Sequence, residues 1–207
     1  MGQTSKLPAD TPAVGMGLID ALGVLAKLRK DEIVVTAMGA AREWPKLSQH
    51  PLDFHYVPSA MGNAPALGLG LALAQPERQV IVLNGDGSTL MSLGSLVTLA
   101  AAGPANLTLV ILNNGIYEVT GGQDTAASKT AVDWLALVQS AGIASVRRFS
   151  QLDDWRQQAP ETLRLPGPRV IVLDVAPVGA DYNLESPGPM AERMKRFRAA
   201  LGTGAGA

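Results

Sequence analysis

Cysteine is absent from the sequence, which excludes disulfides, thiolate zinc sites and cysteine-ligated iron–sulfur clusters; this chain carries no cluster of its own for electron transfer. Aromatic residues are scarce, at 4% against 47% apolar, so Ala, Val and Leu must fill the interior, as in parallel sheets under close-packed helices. No charge sign dominates: the net charge is −1 and no basic block occurs, which argues against nucleic acid as a partner. Long apolar runs are missing too. The start, Met1-Gly2-Gln3-Thr4-Ser5-Lys6, has no apolar signal core, and no later run approaches a membrane span without Gly or charge, so a soluble cytoplasmic protein is expected. A chain of 207 residues suits one substantial α/β domain and is short for two.

What is present alternates between strand and helix patterns. Residues 1–12, with Pro8, Asp10 and Pro12, read as a loose arm, 13–201 as the domain and 202–207 as a fraying tail. Helical spacing runs from Gly15 to Arg29, Ile33–Thr36 reads as a buried strand, and Ala40–Leu47 starts a helix that Pro45 or Pro51 breaks. Phe54–Val57 is a short strand. Asn63–Ala74 is an apolar helix whose Gly68 and Gly70 suggest close contact with a neighbour. Further strands are expected at Val80–Leu83, Leu107–Leu112, Ser145–Phe149 and Val170–Val175. Helices are expected at Thr89–Ala102, Val132–Ala141, Leu152–Leu165 (interrupted by Pro160) and Met190–Leu201, the last with a basic, solvated face. This order selects a doubly wound α/β fold with a mostly parallel sheet flanked by helices.

Two strand ends carry the chemistry. Val80-Ile81-Val82-Leu83 ends in Asn84-Gly85-Asp86-Gly87-Ser88, and Leu107–Leu112 ends in Asn113-Asn114-Gly115. Open α/β sheets bind ligands outside such carboxyl ends. A carboxylate (Asp86), a carboxamide (Asn114) and glycines that admit close backbone approach suit a hard divalent cation holding a diphosphate. Asp86 as a helix cap and the Asn pair as a turn would explain either half alone. Two such ends at compatible spacing favour the cation. A nucleotide loop is disfavoured: there is no G-x-x-x-x-G-K-[ST] run, and Gly68-x-Gly70 lacks the next fingerprint glycine.

The pairing of Gly85-Asp86-Gly87-Ser88 with Asn113-Asn114 resembles the diphosphate-binding signature of thiamine-diphosphate-dependent enzymes. The resemblance implies Mg²⁺ held by Asp86, Asn114 and the carbonyl of Ile116, with backbone N–H groups of Gly87 and Ser88 toward the diphosphate. Ser59-Ala60-Met61-Gly62 adds to it: Met61 would be the wedge that bends the cofactor into a V, with the carbonyl of Ser59 and the amide of Met61 on its aminopyrimidine. Ser59 through Thr125 is similar to the diphosphate-binding half of phosphonopyruvate decarboxylase and of the sulfopyruvate decarboxylase β subunit, through Ala60-Met61-Gly62, Pro104-Ala105-Asn106-Leu107, Gly121-Gly122-Gln123 and Thr125. Thr36 and Arg42-Glu43 fit the same pattern, whereas Met38 stands where a glycine is usual and Ser59 where the wedge motif begins with Gly.

That resemblance implies a nonoxidative decarboxylation of a small 2-keto acid, 3-sulfopyruvate or 3-phosphonopyruvate, to an aldehyde. The carboxylate that activates the aminopyrimidine comes, in this superfamily, from a separate pyrimidine-binding domain that the sequence lacks; Glu43 and Glu118 are the carboxylates nearest the motifs. The expectation is therefore the diphosphate-binding subunit of a two-subunit enzyme, α₂β₂ or higher, whose partner supplies that Glu. Arg42, Gln123 and Thr125 are candidates to touch substrate, and His50 and His55 candidate proton donors on general grounds. Other readings are half of an acetolactate synthase-like enzyme and a noncatalytic cofactor-binding or regulatory subunit.

Overall fold

The computed structural model describes residues 15–130, 132–178 and 187–202; the expected arm at 1–12 and nearly all of the tail at 202–207 lie outside them. In chain order the elements are α1 (Leu18–Leu28), β1 (Ile33–Thr36), α2 (Gly39–Glu43), β2 (Asp53–His55), α3 (Ala64–Ala74), β3 (Val80–Gly85), α4 (Asp86–Met91), α5 (Gly94–Ala102) and β4 (Leu107–Asn113). There follow a small hairpin of β5 (Ile116–Tyr117) and β6 (Gln123–Asp124), then α6 (Ala126–Thr130), α7 (Trp134–Ser140), β7 (Ser145–Phe149), α8 (Leu152–Thr162), β8 (Arg169–Asp174) and α9 (Met190–Gly202). Six strands form one sheet in the order β2-β1-β3-β4-β8-β7, and every pairing in it is parallel.

Each central strand is apolar because both of its faces are covered. Ile33 and Val35, Val80 and Val82, and Leu107, Leu109 and Ile111 face one layer with Leu69, Leu96, Leu99, Trp134 and Phe197. The alternate positions Val34, Ile81, Leu83, Val110 and Leu112 face the other, with Leu22, Leu25, Trp44 and Trp155. That period of two is what a doubly covered strand requires. Chain direction across the sheet reverses between β1 and β3, and their carboxyl ends flank the crevice where this fold class takes ligands.

Both sheet edges are protected. Strand β7 exposes Arg147 and Arg148, charges that discourage pairing with another sheet. Strand β2 is covered by α9, where Phe197 meets Phe54 with ring centroids 5.1 Å apart and Arg193 donates to the carbonyls of His55 and Val57. Arg193 is thus buried, so the terminal helix is not the wholly solvated charge run expected of it: three acceptors at the sheet edge and in its lead-in satisfy the guanidinium.

Two other expectations are corrected, at the helix after β3 and at Pro160, and the stretch Gly115–Thr125 forms a hairpin. The helix after β3 begins at Asp86, not Thr89, and is two helices broken at Ser92 and Leu93, where the Ser92 backbone leaves helical geometry. The glycine-rich stretch Gly115–Thr125 holds the β5–β6 hairpin, with Gly121 and Gly122 at positive φ in its turn. Pro160 does not interrupt α8, because it sits in the last turn, where little remains of the hydrogen-bond ladder to break. Gly68 does pack as expected: a Cβ there would come within 2.1 Å of a Val82 methyl, whereas Gly70 has open space. Among the described residues no helix is long and apolar enough to cross a membrane.

Candidate functional site

The carboxyl ends of β1, β3 and β4 open into one cleft. Its walls include Met38 and Gly39 after β1, Gly85 through Ser88 after β3, Asn114 and Ile116 after β4, and Met61 from the lead-in to α3. The structure thereby brings together Met61, Gly85, Asp86, Gly87, Ser88, Asn114 and Ile116, as the sequence leads one to expect. Ser59 is not among the lining residues. Its neighbour Ala60 donates its N–H to the Tyr56 hydroxyl, which fixes the turn that presents Met61.

Asp86 is the electrostatic centre. Its side chain is buried, 1% exposed, and its Oδ2 accepts from the Gly115 N–H and the Thr125 hydroxyl, each at 3.2 Å. No cationic side chain lies against it among the described residues, and burial pushes its carboxyl above the ordinary range although the Gly87 N–H, Thr125 and Gly115 pull the other way. A buried carboxylate without a countercharge costs several kcal/mol by order of magnitude unless a cation meets it.

The two asparagines divide their roles. Asn113 is structural: its Nδ2 donates to Asp174 at 2.7 Å and its Oδ1 accepts from the Trp134 indole at 3.3 Å. Asn114 faces the cleft, with Oδ1 accepting from the Ile116 N–H at 3.1 Å and Nδ2 donating to Glu118 Oε2 at 3.0 Å. The glycines answer to their neighbours. A Cβ at Gly87 would lie 2.4 Å from the Tyr117 ring, whereas at Gly85 it would meet nothing within 4 Å and would project into open space. Gly62 donates its N–H to Ser88 Oγ at 2.8 Å and, at φ +92, abuts Ser92, which locks the Met61 turn onto α4.

The oxygen set of Asp86, Asn114 and the Ile116 carbonyl is hard and suits Mg²⁺, whose charge would answer the unbalanced Asp86. The residues present therefore fit the diphosphate–magnesium group that the sequence implies. Beside these oxygens the cleft is apolar, walled by Leu18, Met38, Met61, Leu112 and Val175.

Arg42, Gln123 and Thr125 are not among the residues that line the cleft. Arg42 is turned to the buried Glu43, which Lys46 also meets at 2.8 Å, and it does not line the cleft. Gln123 is exposed on the hairpin. Thr125 is buried and its hydroxyl donates to Asp86 Oδ2. Neither histidine lines the cleft: His55 pairs with the Thr36 hydroxyl at 2.9 Å, burial lowering its pKa, and His50 accepts from the Leu52 N–H.

At two residues noted in the sequence, Met38 and Glu118, the structure adds a feature that the sequence does not show. Met38 has φ 53 and ψ −133, a backbone region suited to glycine that costs a side-chain-bearing residue about 1–3 kcal/mol. The resemblance, which implies glycine at this position, is the signal that could have found it. Glu118 lines the cleft and bonds both Asn114 and, through Oε1, the Val178 N–H; that second link joins segments distant in sequence and left no local trace.

Comparison with known proteins agrees with this geometry. Residues 15–173 match the family described as thiamine pyrophosphate enzyme, C-terminal TPP binding domain. The phosphonopyruvate decarboxylase of Streptomyces viridochromogenes is 39% identical over 181 residues, 87% of this chain and 45% of that protein. The sulfopyruvate decarboxylase subunit beta of Methanothermobacter thermautotrophicus is 41% identical over 164 residues, 79% of this chain and 84% of that one. The chain thus spans less than half the length of the phosphonopyruvate decarboxylases it matches, but most of that β subunit. Among solved structures, benzoylformate decarboxylase from Polynucleobacter necessarius superposes with a TM-score of 0.66 at 21% identity, over 82% of this chain and 35% of that one, a likeness of fold.

Proposed function

The chain belongs to the thiamine pyrophosphate enzyme family, as its C-terminal cofactor-binding domain, and from that membership we propose that it forms the diphosphate-binding half of a cytoplasmic 2-keto acid decarboxylase. The substrate class is 3-sulfopyruvate or 3-phosphonopyruvate, and the products are CO₂ and the corresponding aldehyde. The observation that carries the reading is the buried carboxylate of Asp86, with no cationic side chain against it among the described residues, in the same cleft as Asn114, Ile116 and Met61.

When bound, thiamine diphosphate supplies the electron sink that a 2-keto acid needs to lose CO₂. This chain supplies position and electrostatics. Asp86, Asn114 and the Ile116 carbonyl hold Mg²⁺, and the backbone of Gly85, Gly87 and Ser88 lines the diphosphate end. Thr125 and the Gly115 N–H keep the Asp86 carboxylate in place. Met61 supports the body of the cofactor, with Leu18, Leu112 and Val175 excluding water around it.

The activating carboxylate comes from a pyrimidine-binding partner subunit in an α₂β₂ or larger assembly. In support, the two carboxylates that line the cleft among the described residues, Asp86 and Glu118, are both engaged in hydrogen bonds within this chain. Further support is an uncharged surface: no Asp, Glu, Lys or Arg occurs from Gly87 to Tyr117, and Leu73, Met91, Leu93 and Val97 are exposed on α3, α4, α5 and the α4–α5 junction. Among the described residues no Lys, Arg or His lines the cleft, which supports a partner that also brings the cation for a substrate sulfonate or phosphonate.

The test is to measure thiamine diphosphate binding with Mg²⁺ by calorimetry, and decarboxylation of both 2-keto acids, for the chain alone and mixed with its partner. Mg²⁺-dependent binding, lost at least about 100-fold in Asp86→Ala, and turnover only in the mixture are expected. Undiminished binding by Asp86→Ala would sink the metal assignment, and efficient turnover by the chain alone would sink the partner.

A further inference from the structure

An asparagine binds a metal through Oδ1, yet its carboxamide can turn end for end with almost no change in shape. At Asn114 both ends are fixed. Nδ2 donates to Glu118 Oε2 at 3.0 Å, and Oδ1 accepts from the Ile116 N–H at 3.1 Å. The flipped amide would set Oδ1 against a carboxylate oxygen and Nδ2 against an N–H donor, two repulsions in place of two bonds. Glu118 is in turn held, because its Oε1 accepts from the Val178 N–H beyond β8. Gly39 flanks Oε2: a Cβ built there would lie 3.7 Å away, and a side chain extending from it would crowd the carboxylate.

The geometry points to Glu118 as a positioning residue that fixes the Asn114 carboxamide so that Oδ1 is presented to a divalent cation at Asp86. This rests on the cation reading above and adds to it the residue that orients the second ligand. Glu118 itself touches Asn114 and is not placed on the cation. Groups that orient a metal ligand in this way typically change metal affinity by about 10–100-fold when removed. Val178 lies 60 positions along the chain from Glu118, so the orientation of a ligand after β4 depends on a backbone amide after β8.

Mn²⁺ serves as the probe, titrated into the full chain with thiamine diphosphate, alone and mixed with its partner, and counted by electron paramagnetic resonance. Glu118→Leu is expected to raise the Mn²⁺ dissociation constant about 10–100-fold and to broaden the bound-metal spectrum as the amide populates both orientations. Glu118→Gln, whose side-chain oxygen still accepts from Asn114, is expected to lose measurably but several-fold less. Unchanged affinity in Glu118→Leu overturns the proposal, as does a Gln variant as impaired as Leu, which would make charge rather than orientation the cause. Should the Leu variant not fold, Glu118→Ala takes its place: a loss of about 10–100-fold that exceeds the Gln loss supports the assignment, and unchanged affinity overturns it. Absence of Mn²⁺ binding by the parent, or undiminished binding by Asp86→Ala, overturns the cation reading and this inference together, so the two failures are distinguishable.

Discussion

The two ends of the same sheet treat buried polar groups in opposite ways. At the amino end, Arg169 is buried and spends its guanidinium on the Thr108 hydroxyl at 2.7 Å, the Gln79 side chain and the Leu165 carbonyl. Beside it, Asn106 Nδ2 donates to the carbonyls of Ala72, Gln75 and Arg78 at 2.8–3.0 Å, tying the α3–β3 connection to the start of β4. At the carboxyl end, Asp86 is as deeply buried but has no cationic side chain against it among the described residues, and Met38 sits in backbone space suited to glycine. Satisfied groups hold a fold together. Groups left short of a partner, at the end where this architecture binds ligands, are waiting for one.

The largest expected effect sharpens that contrast from the amino end. Arg169→Ala removes a charged donor from three acceptors in a buried setting and should destabilise the chain by about 3 kcal/mol in urea unfolding. Cofactor binding by the folded fraction should stay at the parent level. A loss below about 1 kcal/mol, or a large change in binding, would erase the distinction between the two ends.

A pH titration probes the carboxyl end. Burial raises the Asp86 carboxyl above its ordinary range, so the folded chain holds that proton more tightly than the unfolded one. The resulting stability is fully present below the unfolded pKa and is lost as pH rises through the raised folded value. Ligand-free parent should therefore lose stability over that window relative to Asp86→Asn, which cannot titrate. With thiamine diphosphate and Mg²⁺ bound, the trend should reverse, because a cation favours the ionised form. A parent-to-variant difference that ignores pH would mean that Asp86 is not strained by its burial.

Much of this was legible from the sequence. The uninterrupted apolar strands Val80–Leu83 and Leu107–Leu112 named a parallel sheet, and their polar ends named the ligand edge, because strand period and connection rules act locally. Asp86, Asn114, Ile116 and Met61 followed from strand ends and motif. What stayed hidden depends on partners distant in the chain. Arg193 reads as one more surface charge until α9 docks on β2. The bond from the Thr125 hydroxyl to Asp86 spans 39 positions and leaves no local trace in the sequence.

The smallest effect concerns Met38, where strain rather than charge marks the carboxyl end. Two terms oppose each other in any truncation there. Removing the buried thioether costs packing, whereas relieving φ 53 returns about 1 kcal/mol or more if the new residue accepts that conformation. Comparing Met38→Gly with Met38→Ala cancels most of the first term, since both delete the side chain beyond Cβ. Ordinarily Gly is the less stable of such a pair by roughly 0.5–1 kcal/mol, through the entropy of its unfolded chain. At Met38 the order should invert, with the Gly variant the more stable by about 1 kcal/mol, roughly 2–4 °C in Tm for a chain of this size. If Ala is the more stable, the backbone after β1 is not held against its preference, and Asp86 alone separates the two ends of the sheet.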